Sequence, residues 1–190
     1  MLIKNEFQVA APVDKVWQYF GDIPQVAACL PGTELTKDLG GDKYEGRVAV
    51  RMGPVRLQFA GKADITERDE AAKRVVANAS GAEEKGRGQA SMLVTATLAP
   101  AGRGTKVSVT QDLQVSGAAA QYGRGMISDV SAVLMRDFSV NLADRIDRAE
   151  RGETVTAASP ASGFTLGMRA AMMALRRVFR RFFLPYQAAS

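Results

Sequence analysis

Near the C-terminus, arginines at 169, 176, 177, 180 and 181 stand among Phe164, Phe179, Phe182 and Phe183, and no acid follows Glu153. Guanidinium groups at that density bind anions, and these must be anions that tolerate apolar neighbours. Elsewhere the residues able to do chemistry are few. Without histidine the chain lacks the usual general base near neutral pH and the commonest metal ligand. The single cysteine, Cys29, excludes an internal disulfide and any CxxC motif, which suits a reducing cytoplasm, and reads as a small apolar filler between Ala28 and Leu30. Glu6, Glu45 and Asp64 are carboxylates available for acid–base work, but each falls where the surrounding pattern puts it on the wet face of a sheet. The glycines of GRGQAS and YGRGM do not form a GxGxxG after a strand, and EKGRG offers no ligand for a soft metal. The expectation is a protein that is not an enzyme.

The C-terminal residues sort themselves when laid on a helix at about 100° per residue. Phe164, Met168, Met172, Leu175, Val178, Phe179, Phe182 and Phe183 take one side, and Arg169, Arg176, Arg177, Arg180 and Arg181 take the other. A spanning helix is disfavoured, because each arginine near the bilayer centre costs ~2.5 to 3.5 kcal/mol. Lying in the interface, the same helix buries its apolar stripe and leaves the guanidinium groups among anionic headgroups, at ~1 kcal/mol apiece. Packing on the protein's own body or on a partner is the competing reading. Nucleic acid would want aromatics interleaved with the cations for stacking, not gathered opposite them. The pattern favours a membrane surface over a partner, and both over nucleic acid.

What must position this tail is an ordinary domain. Residues 1–150 carry 19 Lys plus Arg and 19 Asp plus Glu, a balanced surface, so the net charge of +5 resides in the remainder. The N-terminal MLIKNEFQVAAP lacks the apolar run of a signal peptide, and an intracellular protein is expected. LIKNEFQV alternates as a strand, and APVDKVWQYFG spaces Val13, Val16, Trp17 and Phe20 along one helical face. Pro24 and Pro31 bracket a second short helix. From residue 33 the period is two: Tyr44, Val48, Val50 and Met52, then Val55, Leu57 and Phe59 after the Gly53-Pro54 turn, then Met92, Val94, Ala96 and Leu98, then Val107, Val109, Leu113 and Val115. After Gly117 the period lengthens again, placing Tyr122, Met126, Val130, Val133, Leu134, Phe138, Leu142 and Ile146 on one stripe of a long helix. GETVTAASPASG then has the composition of a linker. The predicted organisation is a domain over 1–151, a flexible linker over 152–163 and a basic amphipathic tail over 164–190. Its fold class is α+β, a curved antiparallel sheet gripping a long C-terminal helix, the helix-grip plan of START-like proteins.

FQVAAPVDKVWQYFGDIPQVAACLPGTEL, YEGRVAVRMGPVRLQFAGKADI and GTKVSVTQDLQVSG, in order over roughly residues 1–150, resemble the G-subunit family of carbon monoxide dehydrogenase, with Cys29-Leu30-Pro31-Gly32 and the Gly53-Pro54 turn the most specific marks. The resemblance implies a non-catalytic accessory protein of a molybdenum hydroxylase. It further implies recruitment of that enzyme to the cytoplasmic face of the membrane as a peripheral protein, and binding of a quinone such as menaquinone that accepts the electrons. A part in maturing the metal centre is another role suggested for the family.

If a lipophilic molecule is held between sheet and helix, the inward sets supply its walls: Met52, Val55, Leu57, Phe59, Met92 and Val94 from the sheet, with Tyr122, Met126, Ile127, Val130 and Leu134 from the helix. Plain core packing produces the same alternation. Gly117, Ala118, Ala119, Ala120, Gly123 and Gly125 leave one end of the helix nearly without bulk, and methionines make adaptable walls. A membrane tether with an empty core is the main rival.

Overall fold

The computed structural model describes residues 1–153. The tail residues Phe164, Met168, Met172, Leu175, Phe179, Phe182 and Phe183, and Arg176, Arg177, Arg180 and Arg181, lie outside the described residues.

Strand β1 (Leu2–Val9) leads into two short helices, α1 (Val13–Phe20) and α2 (Ile23–Cys29). Pro12 sets the entry to α1, whose Val16 and Phe20 are buried. The Asp22 carboxylate caps α2 by accepting from the Gln25 amide at 3.1 Å. Six strands follow without interruption: β2 (Thr33–Gly40), β3 (Lys43–Met52), β4 (Val55–Asp69), β5 (Arg74–Glu83), β6 (Gln89–Ala101) and β7 (Gly104–Val115). All pairings are antiparallel, in the order β1-β7-β6-β5-β4-β3-β2, so every connection from β2 onward is a hairpin and β1 closes against the last strand. A 3₁₀ turn (Gly117–Tyr122) then delivers the chain into α3 (Gly123–Glu150), 28 residues long. The α+β helix-grip arrangement expected from the periodicity is the one present.

The register explains why the mark Cys29-Leu30-Pro31-Gly32 ends in glycine. Gly32 adopts φ +76°, and a Cβ there would sit 2.5 Å from the Ala49 carbonyl oxygen. Only a residue without a side chain lets the chain leave α2 this close to β3, where the Ala49 amide donates to the Gly32 carbonyl at 2.9 Å.

The α3 stripe is turned relative to expectation. Ile127, Ser131, Phe138, Leu142, Arg145 and Ile146 are buried, whereas Met126, Val133 and Val140 are exposed. Apolar residues at 126, 127, 130, 133, 134, 135 and 138 support two overlapping stripes. Polar contacts decide between them. Asn5 Nδ2 donates to Ser131 Oγ (3.1 Å), Ser131 donates to Gln111 Oε1 (3.2 Å), and Arg145 donates to Gln25 Oε1 (3.2 Å). Two inward polar side chains fix the rotation that apolar periodicity leaves open. Removing the Ser131 hydroxyl strands both Asn5 and Gln111, so Ser131→Ala is expected to cost about 1–3 kcal/mol, read as a lowered urea midpoint with unchanged slope.

Candidate binding space between sheet and helix

The Asn5–Ser131–Gln111 bridge divides the interior. On one side Val9, Val16, Phe20, Val107, Phe138 and Leu142 form a core with exposures of 0 to 6%. On the other, Ile3, Met52, Leu57, Ala119 and Ile127 are buried, while eight apolar neighbours, Val50, Val55, Phe59, Leu113, Val115, Tyr122, Val130 and Met1, are only half-buried. Apolar side chains on the sheet face that meets α3 and still reach solvent mark an end where the helix covers the sheet only in part. Its floor is low: Gly46, Gly61, Gly81 and Ala90 are aligned across β3 to β6, with Ala63 and Ala79 in the next row.

Seven of the eleven expected wall residues meet in this half: Met52, Val55, Leu57, Phe59, Tyr122, Ile127 and Val130. Val94 packs at the edge of the other core. Leu134 is half-buried on α3 outside both clusters. Met126 does not face the sheet; at 41% exposure it lies on the outer side of α3, a consequence of the rotated stripe. Met92 is half-buried on the face of β6 that meets α3, outside both clusters, and also borders a groove of about 740 Å³ formed chiefly by residues pointing away from α3, among them Lys43, Lys62, Asp64, Asn78 and Asp112.

The small residues before α3 do not all leave room. Gly117, at φ +71°, is pressed against the β5–β6 turn, where a Cβ would meet the Arg87 carbonyl oxygen at 2.4 Å. The Ala118 amide donates to that same oxygen. Ala119 is buried in the apolar half, whereas Ala120 is exposed and Gly123 and Gly125 border open space.

Periodicity gives no sign of the polar group at this end. Glu83 ends β5 on the inward face with its side chain 2% exposed. It accepts from Arg87 Nη2 at 2.7 Å and from the Lys85 and Arg87 amides at 2.9 and 3.2 Å. The Arg87 hydrogen bond, helped by those amides, outweighs burial and brings the carboxyl down to about 2. Arg87 Nε is buried without a hydrogen-bond partner among the described residues, in the neighbourhood of Tyr122. EEKGR, residues 83–87, offers one signal, a Glu and an Arg four apart around a glycine turn. Because the folded carboxyl titrates below its ordinary value of 4.5, the stability it contributes is complete above that pH and disappears as pH falls toward 2. Urea midpoints of wild type and Glu83→Gln are therefore expected to differ at pH 7 and to converge near pH 2.

The other candidate acids are structural. Glu6 is exposed and accepts from Ser108 (3.0 Å) and Lys106 (3.0 Å), and Glu45 pairs with Lys62 (3.4 Å) on the outer face that Asp64 also occupies. Cys29 is fully buried, donates to the Gln25 carbonyl at 3.3 Å, and is pushed up to about 11 by burial, an inert thiol as its neighbours in sequence suggest. Among the described residues no helix is long and apolar enough to cross a membrane.

A seven-stranded antiparallel sheet gripping one long helix, with a partly exposed apolar cluster at one end, defines a START-like helix-grip protein. Solved structures share the plan. A conserved protein from Geobacillus kaustophilus superposes with a TM-score of 0.70 at 19% identity, over 78% of this chain and 97% of its own. An aromatase/cyclase from Streptomyces sp. R1128 gives 0.56 at 16% identity over 83% and 99%. At these identities the likeness is one of fold. Residues 6–147 match the family model for the carbon monoxide dehydrogenase G subunit (CoxG), and the chain belongs to that family. No curated protein sequence matches it.

Proposed function

We propose that this chain is a non-catalytic accessory protein of a molybdenum-containing carbon monoxide dehydrogenase. On this reading it holds the enzyme at the cytoplasmic face of the membrane and binds a lipophilic quinone, menaquinone, between sheet and α3, from which electrons enter the respiratory chain. The observation that carries the ligand reading is the ring of inward but half-exposed apolar side chains around Val55, Phe59, Tyr122 and Val130 in a chain of this family. An isoprenoid chain fits the apolar side chains that line this end. The unpartnered Arg87 Nε–H and the Tyr122 hydroxyl are donors at the same end for a quinone oxygen.

Quinone reduction occurs at the oxidase's own redox centres, so the chain needs to contribute no acid, base or metal. Its contribution is proximity, because a domain tethered through residues 152–163 stays at high effective concentration beside the bilayer. The proposal is tested by carbon monoxide-dependent menaquinone reduction in vesicles, with purified oxidase and either full-length chain, a variant with Arg176, Arg177, Arg180 and Arg181 changed to glutamine, or no added chain. A carrier gives reduction that depends on both the chain and its tail. A pure scaffold or a maturation factor leaves reduction by the mature oxidase unchanged when the interior is blocked with Val130→Trp, and that result would sink the carrier reading.

A further inference from the structure

Three segments meet at the end of the domain that carries the partly exposed apolar cluster: the tip of the β3–β4 hairpin, the β5–β6 turn, and the 3₁₀ turn with the first turn of α3. Contacts join them, since Arg87 Nη2 reaches the Arg56 carbonyl (3.4 Å), Gly117 abuts Arg87, and Met52 packs with Ala119 and Ile127. Residues 51–56, 83–88 and 117–126 carry five cations, Arg51, Arg56, Lys85, Arg87 and Arg124, against two acids. One of those acids, Glu83, is buried on Arg87, and the other, Glu84, is paired with Arg47 at 3.2 Å. The rest of residues 1–150 holds 14 cations and 17 acids, so the balanced total conceals a polarised domain.

Two of these cations are placed against their own interest. Arg51 and Arg56 are directly opposite one another across β3 and β4, both exposed, and neither makes an ion pair among the described residues. Like charges in facing positions destabilise a sheet. Lys85 and Arg124 are likewise exposed and form no ion pair among the described residues. The first turn of α3 has no acid and no side-chain cap, so the positive end of its dipole adds to the field. Exposed Pro54 and Met126 put apolar groups among the cations.

We propose that this end of the folded domain is a second docking surface for anionic phospholipid, independent of the tail, with Arg51, Arg56, Lys85 and Arg124 among the headgroups and the Gly53-Pro54 tip at their depth. Several unpaired cations around small apolar protrusions match a negatively charged interface better than they match a folded acidic protein, which would call for paired geometry. The proposal rests on the carrier reading for its purpose: docked this way, the partly exposed apolar cluster faces the layer in which a lipophilic ligand dissolves.

The test uses the full chain with a polarity-sensitive fluorophore on Pro54→Cys, and as control on Arg103→Cys in the turn between β6 and β7. Buried Cys29 does not compete for the label. With vesicles of mixed phosphatidylglycerol and phosphatidylcholine, the probe at 54 shifts to the blue and the probe at 103 does not. Arg51→Gln with Arg56→Gln weakens the shift's vesicle dependence on the order of 30-fold. Arg56→Glu, which turns a repulsive pair into an attractive one, raises the thermal midpoint by about 1–2 °C while weakening docking, a pair of opposite signs that misfolding does not produce. A probe at 54 that stays water-like while the protein co-floats through its tail overturns the proposal. So does an equal shift on pure phosphatidylcholine, or protection of the probe only by added oxidase. If docking occurs but no menaquinone is taken up from the vesicles, the carrier reading fails and the surface stands; if uptake occurs with position 54 in water, the reverse holds.

Discussion

Changing Arg176, Arg177, Arg180 and Arg181 together to glutamine is expected to lower partition onto anionic vesicles about a thousandfold. The figure follows from ~1 kcal/mol per cation held near an anionic surface, four times over. The apolar side, Phe164, Met168, Met172, Leu175, Phe179, Phe182 and Phe183, is untouched by these substitutions. Binding to uncharged vesicles should therefore change little, and the difference on anionic ones should shrink as salt rises. Co-flotation with phosphatidylglycerol vesicles at physiological salt reads the effect directly. Equal flotation of wild type and the fourfold variant would mean that the arginines face something other than lipid, with docking onto a partner the next reading to examine.

The second large effect concerns the filled half of the interior. Phe138 is 4% exposed and lies edge-on to two rings, Phe7 at 5.7 Å and 75° and Phe20 at 6.3 Å and 83°. It joins α3 to β1 and α1 at one point. Phe138→Ala loses the transfer free energy of the ring, leaves a cavity between three elements and removes both aromatic contacts, for about 3–5 kcal/mol. Two residues along the same helix, Val140 is 63% exposed, and Val140→Ala is expected to change stability by no more than about 0.5 kcal/mol. Urea unfolding of both variants compares the filled face of α3 with its solvent side. Comparable losses at the two positions would contradict the rotation of α3 that Ser131 and Arg145 fix.

Much of this architecture can be read from alternation alone. Tyr44, Val48, Val50 and Met52, and the sets beginning at Val55, Met92 and Val107, all share the face that meets α3, because a period of two admits one assignment once a single face is wet. The helix is harder to orient. Met126, Ile127, Val133 and Leu134 satisfy a period of 3.6 in either of two rotations, and the choice belongs to Ser131 and Arg145, whose partners Asn5, Gln111 and Gln25 are distant in sequence. Glu83 escapes local pattern for a similar reason: a carboxylate at an inward strand position looks like a turn residue until Arg87 and two amides close around it. Charge summed over the domain also conceals the polarised end, since opposed arginines at 51 and 56 cancel against acids elsewhere. Pairwise partners and spatial clustering of charge are properties of the folded chain, and local pattern carries little of either.

Organic extraction of the full-length protein, purified from its native host, followed by mass spectrometry of the extract, bears most directly on whether the space beside Phe59, Tyr122 and Val130 is a vessel. An isoprenoid quinone recovered at about one per chain, and lost from the Val130→Trp variant, is the predicted result. Wild-type protein that yields no quinone or other isoprenoid would contradict it.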